Sequence, residues 1–191
     1  MNTNFTALRA TAVLAACCAL ASGPALAQTV KLATTMGDIR IELNAEKAPK
    51  SVANFLQYVK SGHYDGTVFH RVIPTFMIQG GGFTSALVQK PTLAPIPLES
   101  KNGLNNVKGS VAMARTGNPN SATSQFFINV VDNPFLDAAN SQDGNGYAVF
   151  GKVVAGMDVV DKIRTVPTGS KGGNENVPVQ AVVINHATIE K

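Results

Sequence analysis

Alternation of apolar and polar residues is the first regular pattern that follows the apolar beginning of the chain. It covers residues 30–34 and 39–43, and the Thr35-Met36-Gly37-Asp38 segment between them is typical of a tight turn. Because alternation places every second side chain on the same face of a strand, each segment has one face to bury. We therefore predict a β-hairpin at this position.

A helical pattern follows the hairpin. It begins at Pro49 and ends at Ser61-Gly62, residue types that suit the first turn and the end of a helix. Its apolar residues fall on one helical face: Val52, Phe55, Leu56 and Val59. A second, shorter helix is predicted over residues 157–163. We expect the first helix to cover an apolar opening of the sheet.

The remaining apolar runs are short and predict strands. They are residues 68–83, divided in two at Pro74-Thr75, and residues 111–114, 125–131, 147–153 and 179–189. Loops rich in Pro, Gly and Asn separate them. Strands and helices do not alternate, which excludes a parallel sheet. We predict a mainly β protein, a closed antiparallel eight-stranded β-barrel capped by two α-helices, in which the last strand pairs with the first.

Residues 1–27 differ in composition from the rest of the chain. Arg9 is their only charged residue, and Ala25-Leu26-Ala27 matches the Ala-x-Ala site of a signal peptidase. We predict a secretory signal peptide at 1–27 and a single folded domain at 28–191. Leu14-Ala15-Ala16-Cys17 leaves open a lipoprotein cleavage site that would anchor the chain through Cys17. The apolar run is shorter than the roughly 20 residues of a spanning helix, so we expect no stable membrane span.

Composition narrows the possible functions. The net charge of the 191 residues is +4, but the basic residues are scattered, so we expect no nucleic-acid partner. Cys17 and Cys18 both lie in the leader, and its cleavage would remove thiol catalysis, disulfides and cysteine-based zinc sites together. The content of 45% hydrophobic and 15% charged residues suits one domain that is stabilised by packing.

Several familiar motifs are missing from the sequence. It has no Gly-x-Ser-x-Gly nucleophile site and no His-Glu-x-x-His zinc site. Gly80-Gly81-Gly82 lacks the Lys-Ser/Thr pair of a phosphate-binding loop. Asp143-Gly144-Asn145-Gly146 is a turn rather than a calcium loop, because Val154 stands where a Glu ligand is needed. We expect neither a metal nor a cofactor.

One segment, residues 68–83, sets Arg71 and Gln79 among strand-forming apolar residues. A cation in such surroundings is costly unless it is hydrogen-bonded or used, so this segment is the first candidate for chemistry. With other blocks of the chain it closely resembles the cyclophilins, which are peptidyl-prolyl cis-trans isomerases. The matching blocks are Phe69-His70-Arg71-Val72-Ile73-Pro74, Phe76-Met77-Ile78-Gln79-Gly80-Gly81, Met113-Ala114-Arg115, Ser124-Gln125-Phe126-Phe127-Ile128, Phe135-Leu136-Asp137 and Val149-Phe150-Gly151-Lys152-Val153. With the leader, the resemblance indicates the periplasmic bacterial branch.

The resemblance implies two catalytic residues and a pocket for proline. Arg71 would donate a hydrogen bond to the prolyl nitrogen, and Gln79 would help to orient Arg71. An apolar pocket would hold the proline ring, formed by Phe76, Met77, Phe127 and Leu136. Rotation about an X-Pro bond breaks no covalent bond, so no nucleophile is required.

The resemblance also implies a groove for the substrate on either side of the proline. The residues that match its lining are Ala114, Arg115, Gln125, Phe135 and Tyr147. Phe135 stands where many relatives carry Trp, which argues against tight binding of cyclosporin. Arg115 stands where Asn is frequent and Tyr147 where His is frequent, so the preference for flanking residues stays open.

The function implied is isomerisation of X-Pro bonds in exported or unfolded polypeptides, which assists protein folding. Its partners would be proline-containing polypeptides, and we expect a monomer. An alternative is a proline-peptide binding module or holdase chaperone with incidental turnover, and another is a barrel that acts as a structural interaction partner. Arg71 and Gln79 favour the enzyme.

Two local expectations concern the central segment. Simple alternation would point Phe76 and Met77 to opposite faces, whereas the resemblance places both in the groove. We therefore expect irregular backbone near Pro74-Thr75. Alternation also predicts that His70 lies on the face opposite Arg71, in a structural role.

Overall fold

A curled nine-stranded antiparallel sheet forms the body of the protein in the computed structural model, which describes Met1 and residues 28–190. Two further strands form a separate hairpin. The strands in chain order are β1 (Thr29–Thr34), β2 (Gly37–Leu43), β3 (Thr67–Val68), β4 (Arg71–Ile73), β5 (Met77–Gly80), β6 (Ser110–Met113), β7 (Phe126–Asn129), β8 (Val149–Ala155), β9 (Thr168–Lys171), β10 (Asn174–Pro178) and β11 (Val183–Glu190). The helices are α1 (Pro49–Lys60) and α2 (Met157–Arg164), with a short 3-10 turn at Pro134–Leu136.

The order of strands in the main sheet is β3-β11-β1-β2-β8-β6-β7-β5-β4. The two end strands, β3 and β4, are consecutive in the chain and are joined only by Phe69 and His70. The edges of the sheet therefore come together at this link, which gives the curled sheet its barrel form. The predicted mainly β, barrel-like fold with two helices is confirmed, although the main sheet has nine strands rather than eight and, among the described residues, its end strands β3 and β4 form no ladder that would close it. The extra strand is β3, which the link divides from β4.

The first and last strands pair as expected. Val30 lies opposite Ile189 and Leu32 opposite Ala187 in the β1–β11 ladder. The predicted hairpin of β1 and β2 is also confirmed, with Leu32 opposite Ile39. Alternation gives β1 a regular pattern of buried and half-buried residues, so both strands bury one face in the barrel interior.

Helix α1 closes the barrel interior with the apolar face that its sequence predicts. Phe55 is fully buried, and its ring centroid lies 5.1 Å from that of Tyr64 and 5.1 Å from that of Phe150. The carboxylate of Glu99 accepts hydrogen bonds from the N–H groups of Lys50 (3.0 Å) and Ser51 (2.8 Å) at the start of the helix. These donors have no partner inside the helix, so Glu99 replaces a local N-cap.

A second apolar cluster lies on the opposite face of strands β5, β7 and β6. Ile78, Ile128 and Val111 form one cross-strand row and belong to the interior core. The next row, Phe127 with Ala112, belongs to the second cluster. The buried members of this cluster, which we call the apolar patch, are Met77, Ala112, Phe127, Leu136 and Val149. Alternation along the same strands thus builds the core and the patch together.

The hairpin of β9 and β10 was not predicted from the sequence. Its strands are rich in Gly, Ser and Asn and show no apolar alternation. The closing strand, predicted over residues 179–189, starts at Val183, because residues 179–182 follow the hairpin as non-strand chain. Within the described part of the chain, no helix has both the length and the apolar character needed to cross a bilayer.

Candidate active site

Arg71 is the arginine whose side chain the protein leaves available. It lies on β4 opposite Gln79 of β5 and is half-buried. The other three arginines of residues 28–190 are each paired with a carboxylate, namely Arg40 with Glu190, Arg115 with Asp143 and Arg164 with Asp161. Over the same residues no ion pair involves Arg71, and its guanidinium carbon lies 6.0 Å from the centroid of the Phe76 ring.

Phe76 lies in the turn between β4 and β5 rather than in a strand. Residues 74–76 form this turn, which the Phe76 N–H closes by donating to the Ile73 carbonyl at 3.0 Å. The expectation of irregular backbone near Pro74-Thr75 is therefore confirmed. Because the turn interrupts alternation, Phe76 and Met77 can both join the second cluster, where Phe76 packs at its edge.

The apolar patch adjoins this turn and is largely buried. Met77, Phe127 and Leu136 are 1%, 4% and 7% exposed. Phe135 is 55% exposed, and its ring stacks on that of Phe76 with centroids 5.6 Å apart. Tyr147 meets Phe127 edge-on at 5.7 Å. The structure thus brings all of the predicted proline-pocket residues into one cluster with two aromatic rings at its border.

A buried network of amides holds the patch from behind. Asn133 donates from Nδ2 to the Phe76 carbonyl at 2.9 Å and to Asn129 Oδ1 at 2.7 Å. Asn129 in turn donates to Ser110 Oγ at 2.8 Å and to Asn106 Oδ1 at 3.2 Å. Buried amides are costly unless they are paired, so this network fixes the turn that carries Phe76. Sequence reasoning missed it, because its members are distant in the chain and match no motif.

Gln79 and Gln125 are joined next to Arg71. Gln79 Nε2 donates to Gln125 Oε1 at 2.9 Å. A direct orienting contact would be a hydrogen bond donated by the Arg71 guanidinium to Gln79 Oε1, and none is found among residues 28–190. Gln79 lies opposite Arg71 in the β4–β5 ladder.

His70 borders the same cleft as Arg71, so the predicted placement on the opposite face is wrong. It lies in the link between β3 and β4, where strand alternation does not apply. Its ring packs on Phe83 at 4.6 Å, and the residue is 8% exposed. Burial lowers the pKa of His70 to about 4, and the nearby Arg71 charge adds to the decrease. His70 is therefore neutral near pH 7.

A polar cleft of about 420 Å³ lies beside Arg71, away from the apolar patch. Arg71, Gln79 and Gln125 form one wall. Residues 173–176 of the β9–β10 hairpin form the other. Sequence reasoning did not find this wall, because it did not find the hairpin.

Arg115 is held by the protein beside Tyr147, a residue that packs on the apolar patch. Its guanidinium donates to the Gly146 carbonyl at 2.8 Å, to the Thr116 carbonyl at 3.0 Å and to Asp143 Oδ2 at 2.5 Å. It also lies over the Tyr147 ring at 4.6 Å, and its side chain is 4% exposed. The Asn145 N–H and the Arg115 guanidinium hold the pKa of Asp143 well below its usual range. Arg115 thus supports a wall at Tyr147, while Ala114 lies at the patch border.

The acidic and imidazole side chains of the described residues do not gather into a metal site. No group of three or more His, Cys, Asp or Glu residues among them is placed to hold an ion. The arrangement around Arg71 instead offers a hydrogen-bond donor beside an apolar surface. Such a pair can bind a ring and polarise a bond next to it.

Comparisons with known proteins agree with this geometry. The family described as cyclophilin type peptidyl-prolyl cis-trans isomerase/CLD matches residues 29–189. A peptidyl-prolyl cis-trans isomerase of Streptomyces antibioticus is 61% identical over 162 residues, which are 84% of this chain and 98% of that protein. The peptidyl-prolyl cis-trans isomerase B of Escherichia coli is 54% identical over 159 residues, which are 83% of this chain and 97% of that protein.

Solved structures show the same similarity. A crystal structure of a cyclophilin type peptidyl-prolyl cis-trans isomerase from Cryptosporidium parvum has a TM-score of 0.71 and 28% identity, and the match covers 86% of this chain and 98% of that one. A crystal structure of the same protein in the presence of the dipeptide Ala-Pro has a TM-score of 0.70 and covers 86% of this chain and 99% of that one.

Proposed function

Since the chain belongs to the cyclophilin family and is a peptidyl-prolyl cis-trans isomerase, we propose that Arg71 and the apolar patch together lower the barrier to rotation of X-Pro bonds. Its substrates are proline-containing polypeptides. Rotation about such a bond faces a barrier of roughly 18–20 kcal/mol, which amide resonance sets. Nothing is cleaved, so the enzyme needs only to favour the twisted bond over the planar one.

Arg71 acts on the resonance itself. A guanidinium N–H that donates to the prolyl nitrogen draws the nitrogen lone pair out of conjugation with the carbonyl, which lowers the barrier. The β4–β5 ladder holds the Arg71 backbone before substrate binds, and the Phe76 ring lies beside the guanidinium. A preorganised donor of this kind loses little energy in reorganisation when the transition state forms.

The apolar patch and Phe76 hold the pyrrolidine ring while the acyl side of the bond turns. Met77, Phe127 and Leu136 are already packed together, so binding does not have to order them. The Asn133 hydrogen bond fixes the Phe76 carbonyl, and the stack on Phe135 restrains the Phe76 ring. One end of the bond is thereby kept still, which is the geometric condition for catalysed rotation.

The observation that carries this proposal is that Arg71 alone, among the arginines of residues 28–190, forms no ion pair. The test is the kcat/KM of Arg71→Ala on a short X-Pro peptide. Loss of one preorganised donor predicts a decrease of about 10²- to 10³-fold. The matched control is Arg40→Ala, which removes an arginine paired with Glu190 far from the site and should retain the rate. An Arg71→Ala enzyme with an undiminished rate would end the assignment.

The cellular setting is a separate part of the proposal. The leader at 1–27 and its Ala-x-Ala site support export and action on exported or unfolded polypeptides in the periplasm. Mass spectrometry of the chain purified from the producing cell tests this. A terminus at Gln28 supports the free periplasmic form, and a diacylated Cys17 supports the lipid-anchored form. An intact leader on the functional protein contradicts both.

A further inference from the structure

The β9–β10 hairpin lies outside the main sheet, next to the free edge of β4. Among the described residues strand β4 pairs only with β5, and β10 packs against it. Val177 and Pro178 are buried and anchor the end of the hairpin, while residues 169–175 are exposed. The exposed part is therefore held next to Arg71 without being covered by the rest of the fold.

A β-bulge in the hairpin contains two residues that border the same cleft as Arg71. Asn174 lies opposite Lys171 and Val177 opposite Gly169, so Glu175 and Asn176 share the space opposite one residue. Asn176 has a φ of 59°, a left-handed conformation that is uncommon for residues other than Gly and that Asn tolerates best. Bulges change the direction of the side chains they contain. Here Glu175 and Asn176 both border the polar cleft.

The position of the cleft relative to the apolar patch determines what can enter it. The sequence of elements across the site is hairpin, β4, β5, β7 and β6. The patch lies on β5, β7 and β6, so Arg71 on β4 separates it from the hairpin. When a proline ring lies on the patch and its amide lies at Arg71, a residue that adjoins the proline extends into the cleft.

The cleft is bordered by one acidic side chain, Glu175, that can attract a cationic guest. Arg71 and Glu175 are the ionisable side chains with fixed charge among the residues that border it, since the low pKa of His70 leaves that ring neutral. Arg71 is directed to the X-Pro bond. Lys171 of the same hairpin borders a different, smaller cavity of about 110 Å³ with Leu87 and Val177. The negative charge of Glu175 is therefore the one available to a substrate side chain next to the proline.

We propose that the bulge of the β9–β10 hairpin forms a specificity subsite, in which Glu175, with Asn176, binds a Lys or Arg side chain adjoining the substrate proline. This inference rests on the proposed placement of proline and Arg71. The amides of Gln79, Gln125 and Asn176 offer further hydrogen-bond acceptors to the same side chain. A Glu at that substrate position meets the Glu175 carboxylate and is disfavoured.

The test compares peptides that carry Lys, Gln or Glu immediately before or immediately after a single proline. The wild-type kcat/KM is expected to favour Lys over Glu by about two- to fivefold at one of the two positions, which is the range for one exposed ion pair. Glu175→Gln should remove the preference, and Glu175→Lys should reverse it. Glu46→Gln is the matched control, because Glu46 is an exposed acidic residue that lies outside the cleft. Equal rates for all peptides, or a preference that survives in Glu175→Gln, would overturn the subsite.

Titration of the same peptides into Arg71→Ala protein separates this proposal from the catalytic one. The ratio of Kd values for Lys and Glu peptides depends on Glu175 and not on turnover. A preserved ratio supports the subsite even if Arg71 proves dispensable for the rate. A ratio of one, with catalysis lost in Arg71→Ala, would refute the subsite and leave the role of Arg71 intact.

Discussion

Arg71 and Arg115 each lie beside an aromatic ring that packs on the apolar patch, and the protein uses their guanidinium groups differently. Arg115 donates to two backbone carbonyls and to Asp143, and it is covered by Tyr147. Arg71 has no carboxylate within ion-pair distance anywhere in residues 28–190, and its guanidinium carbon lies over the Phe76 ring, 6.0 Å from the centroid. A guanidinium whose N–H groups are hydrogen-bonded within the protein holds the surrounding structure in place. One whose N–H groups have no protein acceptor can donate to a substrate.

The comparison also separates what the fold requires from what the reaction requires. Burying Arg115 with its hydrogen bonds fixes the loop around Gly146 and the Tyr147 ring, so this arginine stabilises the native state. Leaving Arg71 unpaired gives the folded protein no comparable benefit. A half-buried cation kept free beside an apolar patch is the arrangement expected for a functional group.

The largest expected effect is that of Phe127→Ala, which removes a buried aromatic ring from the apolar patch. Phe127 is 4% exposed, so its loss should lower the free energy of unfolding by about 3–5 kcal/mol. Peptide affinity should fall as well, because Phe127 forms part of the surface that holds the proline ring. Denaturant unfolding and peptide titration measure the two effects. Unchanged affinity in a folded variant would show that proline binds elsewhere.

Arg115→Ala tests whether the paired arginine contributes to structure rather than to the rate. It leaves the Gly146 and Thr116 carbonyls without their donor, at a cost of about 1–3 kcal/mol in unfolding free energy. We expect KM to rise as Tyr147 loses its support, with kcat retained. Arg115→Lys keeps the charge but not the planar set of donors, so its unfolding free energy and KM should lie between those of the wild type and Arg115→Ala. A loss of kcat like that of Arg71→Ala would remove the distinction between the arginines.

His70 provides a smaller, pH-dependent effect beside Arg71. Its folded pKa of about 4 lies below the unfolded value, so the unfolded chain binds more protons and stability falls as the pH decreases from about 6.5 to 4. His70→Gln should remove most of that pH-dependent loss, because the substituted side chain does not titrate. Burial also lowers the pKa of His63. His63→Gln therefore provides a matched comparison, because it removes the contribution of His63 to the dependence of unfolding free energy on pH. Equal pH slopes in wild type and His70→Gln would contradict this explanation.

Much of the fold follows from local patterns in the sequence. Alternation predicts β1 and β2, and helical spacing with Pro49 at its start predicts α1 within two residues. Features that depend on distant partners do not show in such patterns. Glu99 caps α1 from 48 residues away, and Asp143 holds Arg115 across 28 residues. The bulged hairpin has no apolar alternation, so its wall of the cleft could be found only in three dimensions.

The candidate site shows the same division. Resemblance to a family proposes Arg71, Gln79 and a proline pocket of Phe76, Met77, Phe127 and Leu136. The structure places Arg71 opposite Gln79 and gathers the four pocket residues in one cluster. The resemblance does not show which arginine is unpaired and which is ion-paired, because the pairing of Arg115 depends on Asp143 and the loop around Gly146. The face of His70 was predicted wrongly for a related reason, since two residues of link replace the strand that alternation assumes.

The most direct test of the central claim is the rate at which cis and trans forms of a bound X-Pro peptide interconvert, measured by magnetic resonance exchange at saturating enzyme. In Arg71→Ala, the bound-state rate should fall by about 10²- to 10³-fold while the peptide Kd changes little. In Arg115→Ala, the bound-state rate should persist while Kd rises. A bound-state rate in Arg71→Ala equal to that of the wild type would show that the unpaired guanidinium does not promote the rotation.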